Sequence, residues 1–278
     1  MFIIETLPDL TEIEYTSFVF PGGEVQVRVL EPQRITYLKE IRITAHLFNT
    51  EKIFELGLLT DALRRLNHNL KIYLVCPYFP YCQQDRVAYP GESLAIKFMA
   101  NFINALKFEE VEVWDAHSDV ALALIDNVVN IGPEILMENM IYPFITGTVL
   151  VSPDAGAMKK VAKVSKKYGI PMITASKIRN TNTGEITGTE INIPNELIGH
   201  KFLIVDDICI GGKTFTELAK AIRKSINGGK NQISLYVTHG IFSKGIDVLH
   251  DAGINQIYTA NPFPKVDLTN PYLTVVRK

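Results

Sequence analysis

The 278-residue chain has little cysteine: three residues, Cys76, Cys82 and Cys209. An odd number without metal-ligand spacing excludes a disulfide framework and offers no zinc motif. Incidental or buried thiols in a reducing cytoplasmic compartment are expected. There is no surplus of either charge, with 28 Lys and Arg against 30 Asp and Glu. That balance argues against a nucleic-acid partner, although a local loop can still hold an anion. No apolar run reaches the length of a membrane span. Phe2, Ile3 and Ile4 are followed closely by Glu5 and Asp9, which is not a secretion signal. No membrane partner is expected.

What is present is a globular balance of 47% hydrophobic and 21% charged residues. The length allows one large or two ordinary domains, each with a real core. Strand and helix periods alternate along it. Residues 24–30 read as a strand, 34–44 contain a second strand-like stretch, 51–66 read as a helix and 71–75 as a strand broken by Pro77 and Pro80. Residues 93–106 read as a helix whose buried face can include Leu94, Ile96, Phe98, Met99, Phe102, Ile103 and Leu106. Residues 111–114 form a strand that delivers Asp115, Ala116 and His117 at its end. An irregular stretch, 130–146, marks a boundary between domains 1–140 and 141–278. The pattern then restarts: strand 148–152, helix 157–168 closed by Gly169, strand 171–175, strand 202–205, a loop 206–212, helix 214–226, then strands 233–237 and 256–259. This is α/β grammar with mainly parallel sheets.

Five segments could carry chemistry. The apolar run Phe202–Val205 leads into Asp206 and Asp207, then Gly211, Gly212, Lys213 and Thr214 at a helix start. Open α/β sheets bind ligands at that edge. Paired carboxylates suit the two vicinal hydroxyls of a ribose, and the helix amides suit an anion. The same residues also read as an ordinary strand-to-helix turn. This is not a Walker A loop, because Asp207 stands where its first glycine would be. His117 past a strand end fits a metal or phosphate contact, or a structural role. Asp154 at the next strand end fits a hard cation such as magnesium, or a plain helix cap. Lys177 and Arg179 open a polar, glycine-containing stretch to Gly188, which suits a flap over polyphosphate or a solvated hairpin. Residues 77–86 place aromatics beside Gln83, Gln84 and Asp85, a composition that can stack on and bind a base.

Taken in order, Pro21-Gly22-Gly23-Glu24, the segment 79–86, Asp115-Ala116-His117-Ser118, Ser152-Pro153-Asp154-Ala155-Gly156, Lys177-Ile178-Arg179, Val205-Asp206-Asp207 and the segment 238–243 resemble the ribose-phosphate pyrophosphokinases. The resemblance runs from about residue 22 to 264. It implies two phosphoribosyltransferase-like domains and homo-oligomers with the ATP site near a subunit interface. It implies that His117 and Asp154 help hold Mg2+ and that Lys177 and Arg179 form the flap. Asp206 and Asp207 would bind the ribose hydroxyls. Gly23, Glu24, Gln83, Gln84, Asp85 and His117 would serve the nucleotide. The implied reaction moves the diphosphate of ATP to the C1 hydroxyl of a ribose and releases AMP.

The chain departs from the family at two places. The family's sugar-phosphate loop follows the pattern Asp-Thr-x-Gly-Thr, where this chain has Ile210-Gly211-Gly212-Lys213-Thr214. Ile210 cannot make side-chain hydrogen bonds, while two glycines leave amides and space. Lys213 could supply a compensating charge, or the loop could admit a larger 5-substituent. The acceptor is therefore ribose 5-phosphate or, alternatively, ADP-ribose for nicotinamide nucleotide salvage. Gln83 also replaces a usual arginine. A catalytically silent regulatory relative is a further alternative, against which six retained polar residues weigh: His117, Asp154, Lys177, Arg179, Asp206 and Asp207.

Overall fold

A computed structural model describes residues 1–179 and 186–277. The chain divides into two compact units, Met1–Ile131 and Gly132–Lys278.

The first unit contains β1 (Ile3–Thr6), β2 (Tyr15–Val19), β3 (Val25–Val29), α1 (Pro32–Ile35), β4 (Glu40–Thr44), α2 (Thr50–Leu66), β5 (Lys71–Cys76), α3 (Ala95–Ala105), β6 (Glu110–Trp114), α4 (Asp119–Leu124) and β7 (Val128–Ile131). Its five-stranded sheet has the order β1-β4-β5-β6-β7, parallel except for β1. β2 and β3 form a separate antiparallel hairpin. Tyr15 on that hairpin donates to Glu55 of α2 at 2.7 Å, and Lys52 closes on the same carboxylate at 2.5 Å. The buried Glu55 is thereby satisfied on both oxygens, which such a charge requires.

The second unit contains α5 (Pro133–Leu136), α6 (Glu138–Ile141), β8 (Thr148–Ser152), α7 (Met158–Tyr168), β9 (Met172–Thr174), β10 (Ser176–Arg179), β11 (Ile186–Glu190), β12 (Lys201–Cys209), α8 (Lys213–Ser225), β13 (Ile233–Gly240), α9 (Asp247–Asp251), β14 (Gln256–Pro262) and β15 (Leu273–Val275). Six strands pair in the order β15-β14-β13-β12-β8-β9, all parallel. β8 and β13 are buried along their whole length, because helices cover both faces of a parallel sheet. Burying each Val, Leu or Ile there stabilises the fold by about 1.5–3 kcal/mol. β10 and β11 form an antiparallel hairpin outside that sheet. α7 ends on Gly169 at φ 67°, the left-handed stop expected of that glycine.

Three sequence expectations are corrected. The division falls after Ile131, not after residue 140, because Met137, Met140 and Ile141 pack into the second unit's core. The stretch 130–146 is not irregular throughout but holds α5, α6 and a 3-10 turn at Tyr142–Phe144. The strand-like stretch expected within 34–44 is Glu40–Thr44, preceded by the helical turn Pro32–Ile35. Phe98 does not lie on the buried face of α3 but is 74% exposed. The buried set is Ile96, Met99, Ala100 and Ile103, and position 98 falls opposite position 96 on a 3.6-residue turn.

Candidate active site

In the second unit, polar groups collect at the carboxyl ends of β8 and β12, which pair in parallel through Leu150↔Leu203 and Val151↔Ile204. Asp154 lies just past β8. One carboxylate oxygen accepts from the amides of Gly156 at 2.9 Å and Ala157 at 3.1 Å. The other receives Lys177 Nζ at 2.7 Å. Burial pulls the Asp154 carboxyl upward, but the Lys177 contact and the two amides outweigh it and hold it below the usual carboxylate range. These residues line an open pocket of about 450 Å3 with Ala155, Gly156, Thr174, Ala175 and Ser176. Lys177 is thus brought to Asp154 by the hairpin's position beside β9. Arg179 closes β10, but its side chain lies outside the described residues, as do residues 180–185 of the expected flap.

Asp206 and Asp207 are not in a loop. β12 continues through them to Cys209, leaving a connection of only Ile210–Gly212 before α8. The reason is pairing: Asp206↔Val237, Ile208↔His239 and Cys209↔Gly240 keep the strand bonded to β13. Alternation then sends the two carboxylates to opposite faces. Asp207 is buried and receives Lys160 Nζ of α7 at 3.0 Å. Asp206 is partly exposed and accepts from the Asp207 amide at 2.9 Å. Burial first, then the charge of Asp207, push the Asp206 carboxyl well above the carboxylate range, with a further upward push from Asp154. Three carboxylates and two ammoniums therefore share one sheet edge. Lys160 was not among the residues singled out from sequence. Its signal was its place in the first turn of the helix that follows Asp154.

The connection at α8 is shaped by Gly212, the helix N-cap at φ 77°. A Cβ there would meet Leu249 Cδ2 at 2.9 Å, so glycine is required on both conformational and steric grounds. No side chain caps this helix. Lys213 reaches Glu217 at 3.8 Å, and its side chain is 84% exposed. Its ammonium lies on the exposed surface of the helix's first turn. Thr214 is partly buried in the first turn. Ser243 instead approaches the loop, donating its amide to Ile210 O at 2.8 Å and its hydroxyl at 3.1 Å.

In the first unit, Gly23 and Glu24 form the β2–β3 turn, closed by Gly23 N to Phe20 O and Phe20 N to Glu24 O, both 2.8 Å. With Phe20, Thr50, Glu51 and Phe54 they line an open pocket of about 600 Å3. Gln83, Gln84 and Asp85 lie in the loop after β5 and do not line that pocket. Gln83 and Gln84 are exposed, whereas Phe79 and Cys82 are buried and anchor the loop. Phe79 is therefore core, and Tyr81 is the aromatic at the loop's surface. His117 is exposed beyond β6, after the buried Asp115 at φ 41°. Among the described residues, no group of three or more His, Cys, Asp and Glu could hold a metal. The donor chemistry at Asp154 nonetheless suits a hard cation: a partly exposed oxygen ligand beside a second carboxylate charge. Among the described residues, no helix is long and apolar enough to cross a membrane.

The fold and sheet edge define a two-unit α/β protein. Its structure aligns with phosphoribosylpyrophosphate synthetase from Mycobacterium smegmatis at a TM-score of 0.80, with 21% identity, covering 97% of this chain and 87% of that one. Residues 6–106 match the N-terminal domain of ribose phosphate pyrophosphokinase. Over 248 residues the chain is 29% identical to the ribose-phosphate pyrophosphokinase of Thermococcus kodakarensis, covering 88% of this chain and 84% of the relative. It is 27% identical to that of Sulfolobus acidocaldarius, covering 97% and 92%. The chain is thus similar in sequence to ribose-phosphate pyrophosphokinases over most of its length, and it shares the fold of phosphoribosylpyrophosphate synthetase.

Proposed function

We propose that the protein transfers the terminal diphosphate of ATP to the C1 hydroxyl of a ribose that carries an anionic group at its 5-position. The observation that carries this reading is the Asp154–Lys177 pocket beside the Asp206–Asp207 edge. It sets a cation for phosphate next to acceptors for sugar hydroxyls. The C1 oxygen forms a bond to the β-phosphorus, and the bond from that phosphorus to the bridging oxygen breaks. The bridging oxygen leaves on AMP. Lys177 and Arg179 meet the charge that develops there. Asp206 and Asp207 hold the vicinal hydroxyls and so orient C1 for in-line attack. Asp154 would help hold magnesium in this unit, and His117 is the candidate ligand or phosphate contact of the first unit; the ion would supply Lewis-acid polarisation of the phosphate. Gly23, Glu24, Gln83, Gln84 and Asp85 serve the nucleotide. No side chain is assigned as a general base.

The acceptor is ribose 5-phosphate or ADP-ribose. The loop Ile210–Gly212 favours keeping the second, because it lacks side-chain hydrogen-bonding groups for a terminal phosphate. An acceptor panel tests both: protein, ATP and magnesium with each sugar, reading AMP and the new diphosphate ester. AMP formed with either acceptor supports the transfer. No AMP with either one supports the silent, regulatory alternative. The same protein is expected to assemble as a homo-oligomer.

A further inference from the structure

We propose that Lys244 is the specificity-determining cation of the acceptor's 5-anion at the Ile210–Thr214 loop. This rests on the functional reading above. The loop's own side chains offer little: Ile210 is apolar, Gly211 and Gly212 have none, Thr214 brings one neutral hydroxyl, and the exposed Lys213 lies 3.8 Å from Glu217. Yet the turn leads into α8, a 13-residue helix that no side chain caps. A second loop supplies what is missing. The chain after β13 folds back on β12, with Ile241 N and Phe242 N both donating to Cys209 O and Ser243 donating to Ile210 O. Phe242 sits at φ 45°, a strained setting for a bulky residue, and its ring covers Gly240, where any Cβ would meet it at 2.2 Å. The glycine and the strained turn fix where the next residues go. They bring Lys244 across Gly211, whose added Cβ would lie 3.7 Å from Lys244 Cε and 3.8 Å from Cδ. Lys244 is exposed and joins no ion pair among the described residues. An ammonium left unpaired above a side-chain-free loop suits a phosphate-ester oxygen as a point charge.

The shared chemistry is a phosphate ester at the sugar's 5-position, either terminal or part of a diphosphate. The full chain is titrated calorimetrically with ribose 5-phosphate and with ADP-ribose, as wild type, Lys244→Met, Lys244→Arg and Lys213→Met. Acceptor KM, ATP KM and kcat are measured in parallel, and circular dichroism checks that each variant is folded. Lys244→Met is expected to weaken acceptor binding and raise acceptor KM about tenfold or more. ATP KM should stay within about twofold, and Lys244→Arg should recover most of the loss. The sugar that suffers more identifies whether the lysine reads a terminal or a bridged phosphate. Unchanged acceptor binding in Lys244→Met, or a loss that falls on Lys213→Met instead, overturns the assignment while leaving the transfer reaction intact. A wild-type protein that neither binds nor uses either sugar overturns the functional reading and this assignment together.

Discussion

Lys177 and Asp154 meet at 2.7 Å across the junction of β10 with the end of β8, both about one-third exposed. The contact joins a residue assigned to the transferring phosphates with one assigned to magnesium. It also states how a hairpin with no place in the main sheet is registered on the site.

Lys177→Ala should lower kcat about a hundredfold through lost stabilisation of the leaving oxygen. Stability should change by less than about 1 kcal/mol, because a part-exposed ion pair contributes little. Steady-state kinetics with denaturant melts on the same preparation check this. A matching collapse of stability and activity would show that the lysine is structural.

Asp206 bears a cost in the folded state. Its folded pKa is raised, so between the ordinary carboxylate value and the raised one the folded chain holds a proton that the unfolded chain has lost. Stability from this group therefore falls as pH rises through that window, and the full penalty remains above it. Asp206→Asn should raise Tm of the magnesium-free protein by a few degrees at neutral pH and flatten its acid-side dependence. Acceptor use should fall at the same time. A lower Tm at neutral pH would contradict this balance of forces.

Lys160→Met should destabilise the protein by about 3 kcal/mol, since it strips the 3.0 Å ammonium contact from a buried Asp207 carboxylate. Lys160→Arg should keep most of the stability. Urea unfolding with both variants distinguishes a charge effect from a packing effect, for which the two would behave alike.

Ile210→Asp combined with Gly211→Thr should shift preference toward ribose 5-phosphate over ADP-ribose by about tenfold in kcat/KM. Both positions tolerate the change: Ile210 is 43% exposed, and a Cβ on Gly211 makes only ordinary contacts. Competition between the two acceptors in one reaction measures the ratio directly. An unaltered ratio would remove the loop from the account of acceptor choice.

Much of the fold was legible because its signals are local. The apolar strand at 202–205, the helix stop at Gly169 and the amphipathic run of α2 each depend on neighbours a few residues away. Phe98 reads as buried in the sequence, because an aromatic in an apolar-rich helix does not announce which side meets a partner. The acids at 206–207 read as a loop in the sequence, because polarity marks a strand end when the pairing that extends β12 comes from the distant β13.

Local sequence alone determined the α/β order, the candidate residues for phosphate and sugar chemistry, and the residue types at Ile210–Gly211, since residue type and short spacing carry that information. Only tertiary structure decided which charges meet. Lys160 on Asp207, Lys177 on Asp154 and Lys244 over Gly211 join residues from 23 to 47 positions apart for the first two, and across two separate loops for the third. Such contacts depend on strand order and on where a chain folds back, and no short-range pattern encodes either.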